Sequence, residues 1–267
     1  QFLTDYPYLE NESDIGKTLY KRLGSDKIEA VAEKYHVSEF AVFMGALLVL
    51  NAEYKNADMA CVGTAVSGRN HPEFEQILGM FVNILPICSR IDRNQKMGEF
   101  ISKLSAKLSE VLEYQEYPVN SLYEGESLFD CVLAYQNFEK YVVRNSAFEL
   151  EQIPITSETA KYNLTFEVKK TEKEFDINLE YKQDHFQKES AEWILEHFVK
   201  ILENIAQNDE ASIAEVCRPD SGETDLIFHK FNKDNDELKY SSIAEGFADV
   251  VKEHGDDIAV NEEKGVY

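Results

Sequence analysis

The sequence predicts an α/β (α+β) domain, and three patterns carry that prediction: alternating strands, striped helices and one segment that is apolar nearly all round. The alternation is clearest in "FDINLEYK", where Phe175, Ile177, Leu179 and Tyr181 form one row, and in "LFDCVLAYQN", where Phe129, Cys131, Leu133 and Tyr135 do the same. The stripes lie in "GEFISKLSAKLSEVLEYQ" (Phe100, Ile101, Leu104, Leu108, Val111, Leu112) and between about Glu189 and Asn208 (Ala191, Ile194, Leu195, Phe198, Ile201, Leu202, Ile205). The third segment, "EFAVFMGALLVLNAEY", predicts a helix packed on both sides.

The remaining elements follow in chain order. A short strand around Thr18 to Arg22 leads into "SDKIEAVAEKYH", whose Ile28, Val31, Ala32 and Tyr35 share one helical face, with Ser25 or Asp26 as the expected cap. Ser38 is placed to cap the core helix. "MACVGTAV" reads as a buried strand that "SGRN" (67 to 70) ends as a turn, and "PICSRI" reads as another strand. "YNLTFEVKK" and "FDINLEYK" flank the polar turn "TEKE" as a β-hairpin. At "CRPDSGETD" the composition shifts to linker chemistry, so residues 1–216 form the main domain and 217–240 a linker. Residues 241–267 hold one helical pattern (Ile243, Phe247, Val250, Val251) and a strand-like run from Asp257 to Val260, too little for a core of their own.

Composition limits the function classes. The chain has 267 residues, with 27 Lys and Arg against 50 Asp and Glu, a formal net charge of -23. Such a surface repels phosphate backbones and anionic headgroups, which argues against nucleic acid. The longest apolar run, Phe40 to Leu50, is too short to span a bilayer, so no membrane is expected. The cysteines, Cys61, Cys88, Cys131 and Cys217, show no CxxC spacing and no matching His pair, so no metal site is expected. Cys61 and Cys131 sit in apolar strand-like runs, where free thiols behave as small hydrophobes, and no secretory segment opens the chain. A reducing cytoplasm is the expected location.

No residue stands out as a catalyst. The six histidines are neither adjacent nor spaced as metal ligands, and there is no GxSxG and no Gly-rich phosphate loop. One run does pose a question, "LGMFVNILP" (78 to 86), which sets a glycine, bulky apolar side chains, Asn83 and Pro86 close together. A buried asparagine must find hydrogen-bond partners, so Asn83 is either satisfied by backbone or used on a ligand. A plain turn before an edge strand, with Gly79 supplying backbone freedom and Pro86 marking the edge, fits equally well.

Together these segments resemble the C-terminal half of a condensation domain of a nonribosomal peptide synthetase. "DMACVGTAVSGRNHPEFEQILGMFVNILPICSR" (58 to 90) is similar to the family's run ending in G-R, then I-G-x-F-V-N-T and an L-P-L-R-type strand. "EYQEYPVNSL" is similar to Q-x-x-P-F-E-x-L, and "ESLFDCVLAYQN" to N-P-L-F-x-x-x-F-x-x-x-N. "YNLTFEV" and "LEYKQDHFQKESAEWILEHFVKIL" are similar to the closing hairpin and helix. "FNKDN" and the stretch from Ser241 resemble the entry of an adenylation domain. Departures are Ile84 for Thr, Cys88 for a frequent Arg and Val119-Asn120 for Phe-Glu.

The resemblance implies a chloramphenicol-acetyltransferase-like half-domain, a mixed β-sheet flanked by helices. It implies peptide-bond formation between a donor thioester and an acceptor amine, both carried on the phosphopantetheine arms of carrier proteins. No cofactor is expected to bind this chain directly. Ser67, Arg69, Gly79, Met80, Phe81, Asn83, Tyr135 and Gln136 would line the substrate channel. The family's catalytic H-H-x-x-x-D-G does not occur here, and "FLTDYPYLENES" resembles the connection between halves. No catalytic residue is therefore expected in this chain. Expected partners are the N-terminal condensation subdomain, the adenylation domain and the carrier proteins, with self-association of the exposed cleft wall. Heterocyclisation, and a condensation-like scaffold that recruits a protein, are the alternatives.

Overall fold

The computed structural model describes residues 2–8, 13–74, 76–121, 128–136, 143–144, 148–150, 158–232, 239–258, 261–262 and 265–266. The chain divides into two units, Gln1–Arg218 and Pro219–Tyr267, each described by itself.

The first unit is built on a six-stranded mixed sheet. Its strands are β1 (Gly16–Gly24), β2 (Met59–Val66), β3 (Asn83–Arg90), β4 (Cys131–Gln136), β7 (Leu164–Lys170) and β8 (Glu174–Lys182), in the order β1-β8-β7-β4-β2-β3. A separate two-stranded ribbon, β5 (Val143–Arg144) and β6 (Glu149–Leu150), lies between β4 and β7 in the chain. β4 runs parallel to β2 and β7, whereas the outer pairs are antiparallel. The helices are α1 (Ser25–Lys34), α2 (Glu39–Lys55), α3 (Met97–Leu112), α4 (Lys188–Gln207) and the short α5 (Ile213–Val216).

Alternation along the strands decides which face is covered. Ala60, Val62, Ile87, Cys131, Leu133, Phe166, Val168, Phe175, Ile177 and Leu179 share one core with the apolar stripes of α1, α3 and α4. α2 runs through this core, buried from Ala41 to Ala52, which is why its sequence shows no polar face. Aromatic edges lock the layers: Phe43 meets Phe175 at 4.8 Å and Phe166 meets Phe198 at 4.7 Å between ring centroids. The residues between, such as Glu167, Asn178 and Glu180, point to the opposite face and are half-exposed. Among the described residues no single helix is long and apolar enough to cross a membrane.

Most sequence expectations hold, and Ser38 caps α2 by accepting from the Ala41 amide at 3.2 Å. Three expectations need correction. Helix α1 is capped by neither Ser25 nor Asp26: Gly24, which has no side chain to cap with, holds the cap position, and the Ser25 amide donates to the Lys173 carbonyl of the β7–β8 turn at 2.9 Å. Cys61 is not a free thiol, since the β2–β3 register sets it directly opposite Cys88 and the two form a disulfide. Only Cys131, fully buried, and Cys217 are free among the described residues. That pairing removes the Cys61 part of the argument for a reducing compartment.

The third correction concerns the second unit and its expected strand; the stretch expected as a linker carries helical turns. These are α6 (Ser221–Asp225), capped by Asp220, and the wider turn Leu226–Phe231. α7 (Ile243–His254) follows, capped by Ser242, and Ile243, Phe247, Val250 and Val251 are all exposed along it. The strand expected at 257–260 is absent at Asp257 and Ile258, and residues 259 and 260 lie outside the described set. A short ribbon pairs β9 (Asn261–Glu262) with β10 (Gly265–Val266) instead.

Candidate functional site

Parallel strands leave a crevice beyond their carboxyl ends, and this is where ligands usually sit in α/β sheets. Here the crevice is widened: β2 and β4 pair only at Gly63↔Val132 and Thr64↔Leu133, with the Thr64 hydroxyl donating to the Leu133 carbonyl at 3.0 Å. Past that point β2 pairs with β3 alone and β4 with β7 alone. All eight residues expected to line a channel lie at this end of the sheet. Ser67 and Arg69 follow β2, Gly79, Met80 and Phe81 precede β3, Asn83 opens β3, and Tyr135 and Gln136 close β4.

The 67–82 loop is organised around Arg69. Its Nη1 donates to the Phe74 carbonyl and, at 3.0 Å, to the Ile77 carbonyl, while Nη2 donates to the Gly79 carbonyl at 3.1 Å. The guanidinium also lies 4.5 Å from the Phe81 ring centroid, and Phe81 stacks on Phe74 at 5.4 Å. Ser67 accepts from the Arg69 amide at 3.3 Å. Gly68 makes the entry possible: its φ is +64°, and a Cβ there would sit 2.1 Å from the Phe81 carbonyl oxygen. With the Arg69 guanidinium spent on the loop's own carbonyls, a run of apolar side chains is left bare. Leu78 is 100% and Met80 90% exposed, and Ile77 and Val82 are exposed beside them.

Asn83 anchors the loop's exit. Its Nδ2 donates to the Gln115 and Tyr117 carbonyls, both at 2.9 Å, and its Oδ1 accepts from the Ile84 amide at 2.9 Å. Both amide protons are thus used on the segment after α3. Asn70 donates to Glu116 at 2.8 Å and reinforces the same join. Pro86 lies on β3, the edge strand, where a missing N–H costs the ladder nothing.

The two β4 residues diverge. Tyr135 turns to the helix side and donates to Glu39 Oε2 at 2.6 Å, and Lys170 bridges Glu39 at 2.6 Å and Glu29 at 2.9 Å. Burial first, and then the Glu39 carboxylate, hold the Tyr135 phenol well above its usual range. Glu29, Glu39 and Tyr135 edge a cavity of about 410 Å³ that also includes Phe40. Gln136 turns to the open face and donates to Glu167 at 2.6 Å, and Asn178 donates to the other Glu167 oxygen at 2.9 Å. Beside them Glu180 is raised by burial and by the Glu167 charge. The loop residues therefore form one surface, with Gln136 and Tyr135 on opposite faces of the sheet. Among the described residues no His, Cys, Asp and Glu converge as a metal site.

The condensation domain family matches residues 11–228, four-fifths of the chain. This chain belongs to the condensation domain family. Gramicidin S synthase 2 of Brevibacillus brevis is 30% identical over 275 residues, covering 96% of this chain and 6% of that protein. Among solved structures, the four-domain nonribosomal peptide synthetase holo-AB3403, bound to AMP and glycine, matches with a TM-score of 0.74 at 20% identity, over 83% of this chain and 19% of that one. The X-domain of teicoplanin biosynthesis in complex with OxyB matches with a TM-score of 0.68 at 16% identity, over 83% of this chain and 53% of that one. The chain thus spans a small part of the synthetases it matches.

The sequence grouped Ser67, Arg69 and the Gly79–Asn83 run as channel residues but showed nothing of what holds them. Phe74, Gln115, Glu116 and Tyr117 reach the loop through contacts five to 46 residues away in the chain, and Glu39 and Glu167 hold Tyr135 and Gln136 on β4. The sequence carries no signal for such pairings beyond the alternation of the strands. Asn83→Ala leaves two carbonyls and one amide without their partner. The substitution should lower stability by about 1–3 kcal/mol, read from the denaturant midpoint at constant m. An unchanged midpoint would show that water replaces the amide.

Proposed function

We propose that this chain is the C-terminal half of a peptide-bond-forming condensation domain, residues 1–216, joined through 217–240 to the start of an adenylation domain. It supplies one wall of a cleft and a docking surface for carrier domains whose phosphopantetheine arms bring a thioester and an amine together in the cytoplasm. The observation that carries this reading is the 67–82 loop: Arg69 is spent on the loop's own carbonyls and Leu78 and Met80 are bare, at the open end of the parallel strands. A surface of this kind is usually covered by something. The upstream half of the domain is the natural cover, as the chain spans about half of the X-domain structure it resembles.

In this reading Ser67, Arg69, Gly79, Met80, Phe81 and Asn83 shape the channel wall, and Gln136 borders it. Holding two tethered reactants in a shared tunnel turns an encounter into a near-unimolecular step, worth up to roughly 7–11 kcal/mol of barrier. The chain's own share of that is rigidity, through the Arg69 and Asn83 anchors. Amide hydrogen exchange tests the covered face: segment 76–82 should exchange at least about tenfold more slowly in a domain completed upstream than in this chain alone. Equal exchange in the two would overturn the cleft assignment. A scaffold that recruits another protein is the second reading, favoured by the likeness to an X-domain found in complex with OxyB.

A further inference from the structure

We propose that Cys61–Cys88 is a reversible thiol–disulfide site that sets the order of the 67–82 loop. The bond joins directly paired residues of β2 and β3, the two strands from which that loop springs. Its place in the sheet makes the bond matter. β3 is an edge strand with hydrogen bonds on one side only, and β2 is tied to β4 at just two positions. The β2–β3 ribbon packs on the helices through Ala60, Val62 and Ile87 but has few backbone bonds to the rest of the sheet, so a covalent tie adds to its order at the end from which the loop springs. The disulfide supplies that tie on the face opposite the helices.

Access and selectivity point the same way. Cys61 and Cys88 are both half-exposed, on the alternation opposite to the buried Ala60, Val62 and Ile87. The other two cysteines are poor reactants: Cys131 is fully buried, and burial pushes the Cys217 thiol up to about 12. Reduction by a soluble dithiol would pass through a mixed disulfide. One reductant thiolate attacks one protein sulfur and expels the other as thiolate; the second reductant thiol then closes its own disulfide. Two electrons reach the protein, both cysteines take up protons, and the dithiol is oxidised.

The test uses the full chain, once with dithiothreitol as the probe and once after its exchange for oxidised glutathione. Maleimide labelling read by mass spectrometry should find Cys61 and Cys88 blocked in the oxidised chain and both labelled in the reduced one, with Cys131 and Cys217 slow in each. Hydrogen exchange over 67–82 should be about threefold or more faster when reduced. The double variant C61S/C88S should exchange like the reduced chain in both buffers, and if it fails to fold, the reduced wild type serves as the comparison. Free thiols at 61 and 88 under oxidising conditions, or equal exchange in the two states, would overturn the proposal.

Discussion

Purified alone and supplied with carrier-bound thioester and amine, this chain should form no amide above the uncatalysed rate. Positioned general acid–base groups contribute typically 10²–10⁴-fold, and the family's H-H-x-x-x-D-G does not occur in this sequence. His71, His185 and His197 are held by neighbouring side chains. His197 is held by Tyr54, its Nδ1 2.7 Å from the phenol oxygen, and stacks beside Trp193 on α4. His185 meets Asn163 at 2.9 Å beside Tyr8. His71, the one histidine in the candidate loop, lies 3.6 Å from the Glu116 carboxylate and packs edge-on to Phe74. The assay is single-turnover transfer between two loaded carrier domains, with a domain completed upstream as the positive arm. Turnover by this chain that matches the completed domain would refute the half-domain reading.

Gly68→Val should abolish the ordered loop while leaving the rest of the fold in place. A left-handed backbone costs an ordinary residue roughly 1–2 kcal/mol, and more for a β-branched one. The steric term is the larger, because the new Cβ would stand 2.1 Å from the Phe81 carbonyl oxygen, a backbone atom that yields only if the loop moves. Moving Phe81 breaks its stacking on Phe74 and takes the ring from under Arg69. In a complete synthetase the expected loss of condensation rate is about 100-fold, the scale at which a displacement near 1 Å damages a positioned reaction. The melting temperature should fall by only a few degrees, since the loop lies outside the main core. A variant with full rate would show that the loop does not shape the channel, and one that is wholly unfolded would show that it belongs to the core.

The resemblance to a condensation domain was legible in the order of short motifs, and the fold class in their periodicity. The all-round apolar run from Ala41 to Ala52 could only be a helix buried on every side, and it is. The alternating row Phe175, Ile177, Leu179, Tyr181 could face only one way, and all four side chains enter the core. Hydrophobic burial is proportional to area and indifferent to partner, so a one-dimensional pattern is enough to specify it. Hydrogen bonds, ion pairs and disulfides depend on direction and distance between residues remote in the chain, and tertiary structure alone decided those. No spacing in the sequence joins Asn83 to Gln115 and Tyr117 or aims Arg69 at three carbonyls. The same holds for Cys61 and Cys88, which are 27 residues apart and bonded because one antiparallel register sets them face to face.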